Sequence, residues 1–193
     1  MALVSSTFTL SPGDSAPDFS LPNADGALIT LQDARGKSGT LIVFACNHCP
    51  YVIHVASQLG QIMQEAAQGD IQCIAINSND LTAYPQDGPE PMKQFAAQHG
   101  WNFPYLLDES QQVAKDYGAA CTPDFFLFDA DLRLFYAGQF DDTRPRTGDV
   151  AHGADLREAL QRLLAGETAP SNIKPSCGCN IKWKPGAAPA WFA

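Results

Sequence analysis

Leu41-Ile42-Val43-Phe44-Ala45-Cys46-Asn47-His48-Cys49-Pro50 is the stretch from which the rest of the chain is read. Four consecutive apolar residues are too few for a helix and suit a strand covered on both faces. Pro50 fits the first turn of a helix, where its missing N–H is not needed. Val52, Val55, Ala56, Leu59, Ile62 and Met63 then follow at helical spacing. The order is therefore strand, Cys-x-x-Cys, helix.

Working outward, Gly69-Asp70 closes that helix and residues 71–76 form a second apolar strand, giving a parallel βαβ unit. Residues 77–91 make a long connection with prolines at 85, 89 and 91, of a length usually kept for function or mobility. Helices are expected over 91–99 and 111–117, with a short strand at 105–107 between them. Residues 125–128 and 132–136 read as an antiparallel hairpin across Asp129-Ala130-Asp131. Leu156, Ala159, Leu160, Leu163 and Leu164 form one face of a closing amphipathic helix over 154–164. Upstream of the decisive stretch, residues 18–31 read as a hairpin around Asp25-Gly26.

The chain has 193 residues, 45% hydrophobic and 17% charged, which is globular composition for one domain with added elements. Its net charge of −9 repels phosphate backbones and anionic lipid, so neither nucleic acid nor membrane is an expected partner. The N-terminus has no basic region ahead of an apolar run, and no segment is long and apolar enough to span a bilayer; a cytoplasmic location is expected. Residues 171–193 contain Lys174, Lys182 and Lys184 and no acid, so this segment carries +3 and the remainder −12. The expected organisation is a domain over 1–170 and a tail over 171–193, packed on the acidic body through Trp183, Trp191 and Phe192.

In a reducing compartment, six cysteines point to redox chemistry or metal before structural bridges. A Cys-x-x-Cys at a helix start is exposed to the helix macrodipole, which favours thiolate. Cys46 is the expected nucleophile and Cys49 the resolving thiol, with His48 beside them favouring the reduced form. A structural zinc site needs a second ligand pair, and Cys177-Gly178-Cys179 is the only close one left, so no metal is assigned. Haem attachment needs His where Pro50 stands. Cys121, Cys177 and Cys179 are accessory redox candidates, and Cys73 reads as core.

Gly13-Asp14-Ser15-Ala16-Pro17-Asp18-Phe19, the hairpin, the strand into Cys-x-x-Cys, and Cys121-Thr122-Pro123 before Phe125-Phe126-Leu127-Phe128-Asp129 together resemble the thioredoxin superfamily. Within it, residues 11–166 resemble the peroxiredoxin-like (AhpC/TSA, redoxin) group. The resemblance implies an α/β thioredoxin-like fold: a central mixed sheet with helices on both faces, an N-terminal β-hairpin and an extended C-terminal tail. It also implies a cis-proline at Pro123 facing the cysteines, and a backbone at Thr122 that docks an extended substrate. Peroxiredoxins have Thr three residues before a peroxidatic Cys-Pro and an Arg nearby; here Cys46 stands at the Thr position and no such Arg is found.

The expected activity is thiol-disulfide oxidoreduction without a cofactor. It would act on a disulfide- or dithiol-containing protein or a small thiol, with a separate reducing partner. A thiol-dependent peroxidase acting as an antioxidant, and a noncatalytic module binding metal or a client, are the alternatives.

Overall fold

The computed structural model describes residues 3–192. In chain order its elements begin with β1 (Leu3–Ser5), β2 (Ser20–Pro22), β3 (Leu28–Thr30), α1 (Leu31–Ala34), β4 (Gly39–Phe44), α2 (Pro50–Ala66) and β5 (Ile71–Asn77). They continue with α3 (Pro89–Gln98), β6 (Tyr105–Leu107), α4 (Gln112–Tyr117), β7 (Cys121–Thr122), β8 (Asp124–Asp129), β9 (Leu134–Gly138), α5 (Ala154–Leu164) and β10 (Cys177–Asn180).

The central sheet has the order β6-β5-β4-β8-β9. β4 pairs in parallel with β5 and antiparallel with β8, so the sheet is mixed. Every residue of β4 is buried, which explains its unbroken apolar run: both faces are covered. Alternation along the strands sorts the core into two layers. Leu41, Val43, Phe125 and Leu127 face the layer that holds Leu59 and Ile62 of α2 and Leu156 and Leu160 of α5. Ile42, Phe44, Phe126 and Phe128 face the other, with Leu31 of α1, Tyr117 of α4 and Phe19 and Leu21 from the β2 region. Each fully buried aliphatic side chain contributes about 1.5–3 kcal/mol through burial. This is the thioredoxin-like architecture expected from the sequence.

Two regions depart from the expected outline. The tail is not merely extended: β10 joins β1 and β7 in a second sheet of order β1-β10-β7. Strands this short carry no periodicity, so only their long-range pairing defines them. The 78–88 connection is pinned rather than loose. Asn77 Nδ2 donates to the Asp87 carbonyl at 2.7 Å, and the Asp80 carbonyl accepts from the Tyr84 N–H at 2.9 Å. Among the described residues, no helix is long and apolar enough to cross a membrane.

Candidate active site

β4 ends at Phe44, and the chain turns through Ala45-Cys46-Asn47-His48 into α2, whose N-cap is Cys49 and whose first residue is Pro50. The helix start therefore falls on the second cysteine. Cys46 is 2% exposed and Cys49 is fully buried. Opposite them β7 leads into the Thr122–Pro123 peptide, which is cis. Thr122 touches both sulfurs: its Oγ1 lies 3.5 Å from Cys46 Sγ, and its carbonyl oxygen 3.1 Å from Cys49 Sγ.

Cys46, Cys49 and Cys179 gather around Thr122, Cys179 standing opposite it in the β7–β10 register, making a cluster of three sulfurs whose ionisation is linked. The thiol donors of Cys179 and Cys46 are the main influences that pull the Cys49 pKa well below the ordinary thiol value. Burial opposes them, while the Thr122 side chain and the Val52 N–H add to the lowering. Cys46 is held well above the ordinary value, by its bond to Cys49, then by burial, then by the Asp87 charge. Cys179 is raised by its own bond to Cys49 and by burial. The order of acidity is thus the reverse of the sequence expectation, which put the thiolate on Cys46. The reason is that the helix cap and the converging donors belong to Cys49.

His48, 84% buried by its side chain, is fixed by Asp87: Nδ1 lies 2.7 Å from Oδ2. The Asp87 carboxylate is fully buried and accepts also from the Asn47 N–H at 2.9 Å and Asn79 Nδ2 at 2.9 Å. The imidazole stacks on Tyr84 at 5.2 Å, and Lys182 Nζ lies 5.9 Å from the centre of that same ring. Tyr105 completes the wall by donating to Asn47 Oδ1 at 3.0 Å. Cys46, His48 and Asp87 present donor atoms within 4.8 Å of one another, a set able to approach a metal ion. Because Asp87 already serves two N–H donors besides His48, its present role is to orient the imidazole and the Cys46-Asn47 turn.

Of the accessory cysteines, Cys179 joins the cluster. Cys121 is fully buried on β7, where its thiol donates to the Pro123 carbonyl at 3.6 Å and burial is the main influence raising its pKa. Cys177 lies at the start of β10, half-buried. Arg144 spends its guanidinium on the Asp141 and Thr143 carbonyls and Gln139 Oε1. Asp87 was not singled out from sequence. Gln86-Asp87-Gly88-Pro89 reads as a turn into a helix, and the donors that bury its carboxylate come from other segments.

The sequence model of the AhpC/TSA family matches residues 12–137. Peroxiredoxin Bcp of Escherichia coli (strain K12) is 29% identical over 145 residues, 69% of this chain and 86% of that protein. The crystal structure of an uncharacterized conserved protein from Geobacillus kaustophilus is 47% identical with a TM-score of 0.92, covering 97% of this chain and 99% of that one. That of a putative thiol:disulfide interchange protein DsbE from Chlorobium tepidum, 24% identical, covers 82% and 98% with a TM-score of 0.60, a likeness of fold. With its mixed sheet, its cysteine-capped helix and a family match spanning most of the domain, this chain belongs to the AhpC/TSA family of the thioredoxin superfamily.

Proposed function

We propose that the protein is a thiol-disulfide oxidoreductase whose working couple is Cys46 and Cys49. The observation that carries this reading is that both sulfurs lie against Thr122 beside the cis-proline, Cys46 Sγ 3.5 Å from its Oγ1 and Cys49 Sγ 3.1 Å from its carbonyl oxygen. Two neighbouring thiols, one of them acidic, lose two electrons and two protons when they join. His48, held by Asp87, stands beside the couple as the group that exchanges its protons.

Equilibration in thiol-disulfide buffers between about −120 and −300 mV should give one two-electron couple that disappears in both Cys46→Ser and Cys49→Ser. A wild-type protein that forms no Cys46–Cys49 bond anywhere in that range rules the function out. Cytoplasmic residence, a separate reductant and a disulfide or dithiol substrate belong to the same proposal.

A second reading, a thiol peroxidase, is favoured by one feature: the acidic cysteine is the Cys49 of a Cys49-Pro50 helix start. The E. coli relative is named a peroxiredoxin. In this reading Cys49 takes the oxygen of a peroxide to become sulfenic acid, and a neighbouring thiol condenses with it, releasing water. Rapid peroxide consumption with sulfenic acid trapped on Cys49 supports it; persistence of peroxide in the presence of reduced protein sinks it.

A further inference from the structure

β10 lies where an extended client would otherwise add itself. It pairs with β7 in antiparallel register, Cys179 opposite Thr122, and β1 covers its other edge with Leu3 opposite Cys179. Contact with the cis-proline loop is so close that a Cβ at Gly178 would sit 2.1 Å from the Thr122 carbonyl oxygen, so glycine is required there. The strand is also clamped beyond its end. The Lys182 N–H donates to Asn79 Oδ1 at 2.9 Å, its carbonyl accepts from Gln111 Nε2 at 2.9 Å, and the Lys184 N–H reaches Gln111 Oε1 at 2.8 Å. A polypeptide client therefore meets no open edge at Thr122 unless this whole set of bonds breaks.

Among the described residues, a groove of about 240 Å³ has Cys179 in its lining and is walled by Leu3, Pro50, Tyr51, Pro145 and Arg146. Cys46 and Cys49 are not among the residues that line it. The groove thus meets the three-sulfur cluster at Cys179, which stands opposite Thr122, the residue whose carbonyl oxygen lies 3.1 Å from Cys49 Sγ.

We infer that Cys179 is the thiol that meets the substrate, that the substrate is a small carboxylate-bearing disulfide seated in the Arg146 groove, and that Cys49 relays oxidation inward to Cys46. The inference rests on the Cys46–Cys49 couple proposed above. Cys179 attacks one sulfur of the substrate disulfide as a thiolate, and the proton it releases leaves on the other half as a thiol. Cys49 then attacks Cys179, releasing the second half of the substrate and forming a Cys49–Cys179 disulfide. Attack by Cys46 on Cys49 moves the bond to Cys46–Cys49 and returns Cys179 as a thiolate, and the proton lost from Cys46 leaves on the second half. One disulfide becomes two thiols and the protein gains one disulfide. Arg146 offers the cation for the substrate carboxylate, and Tyr51, Pro50 and Pro145 offer apolar contact.

The test uses glutathione disulfide on full-length protein carrying Cys177→Ser. With Cys49→Ser added, the relay is cut after its first step. A glutathione adduct on Cys179 at least about ten times that on Cys46, read by peptide mass spectrometry, is expected. An adduct mainly on Cys46, or shared equally, overturns the inference and leaves the proposed function standing. With Cys46→Ser instead, the expected product is a Cys49–Cys179 disulfide, and its absence also overturns the inference. If the protein with all other thiols intact forms no Cys46–Cys49 bond with glutathione disulfide or with oxidised dithiothreitol, the proposed function has failed and the inference with it.

Discussion

Replacing Cys179 with alanine removes a named donor from the Cys49 sulfur and so tests the three-sulfur arrangement directly. In the reduced protein the Cys179 and Cys46 thiols, the Thr122 side chain and the Val52 N–H all favour the Cys49 thiolate. A hydrogen bond to a charged group is worth about 1.5–3 kcal/mol, and a thiol is a weak donor, so the lower end applies. At about 1.4 kcal/mol per pKa unit, losing the Cys179 donor raises the Cys49 pKa by about one unit. Thiolate absorbance in the ultraviolet, followed against pH and referenced to Cys49→Ser, isolates this sulfur from the other five cysteines. The Cys49 midpoint should rise in Cys179→Ala and rise less in Cys179→Ser, whose hydroxyl still donates. An unchanged or lower midpoint in Cys179→Ala refutes the view that the tail shares its proton with the helix cap.

Asp87→Asn removes the charge that helps to raise Cys46, so the Cys46 pKa should fall. Asp87→Ala leaves the Asn47 N–H, the Asn79 amide and His48 without their acceptor and should cost about 3 kcal/mol in urea denaturation; a loss below about 1 kcal/mol argues against the cage. Asp124, fully buried behind the cis-proline, is pushed by burial to about 6 from an ordinary 3.8. The folded protein then keeps a proton that the unfolded chain has released, so this group's contribution is complete below pH 3.8 and is lost as pH rises through 6, a difference of about 3 kcal/mol. The stability of wild type relative to Asp124→Asn should fall over that window, and a flat difference contradicts the assignment. Gly178→Ala forces β10 away from the Thr122 carbonyl and should lower stability by about 1–3 kcal/mol while raising the Cys49 pKa; destabilisation with Cys49 unmoved uncouples the strand from the sulfur.

Legibility followed the length scale of the interaction. β4, α2 and α5 were readable because each carries a periodic or continuous apolar pattern that nearest neighbours alone reveal. The hairpin of β2 and β3 was readable from its Asp25-Gly26 turn. β1, β7 and β10 were not, since strands of two to four residues show no pattern and pair only with segments far away in the chain. In the site, the placement of Cys46 and Cys49 together at the start of α2 was legible from spacing. The acidity order was not, because it depends on which cysteine caps α2 and on a donor arriving from β10. Asp87 was hidden for the same reason. Its burial is created by Asn47, His48 and Asn79, none of which is next to it in sequence.

A Cys-x-x-Cys motif, taken alone, counts two thiols and makes the first of them the reactive one. Here the register of a short strand changes that count. Cys179 reaches Cys49 because Thr122 lies opposite it and because Gly178 lets the backbones close. The same strand that covers the β7 edge also supplies a proton donor to the central thiol. Closure against extended clients and acidity at Cys49 are therefore not independent properties on which selection could act separately. A change that loosens β10 opens the edge and weakens the thiolate together, whereas, on the inferred route through the groove, a change at Tyr51 or Arg146 alters which small molecule is seated. Substrate choice and sulfur reactivity thus reside in different parts of one site, although a single strand runs through both.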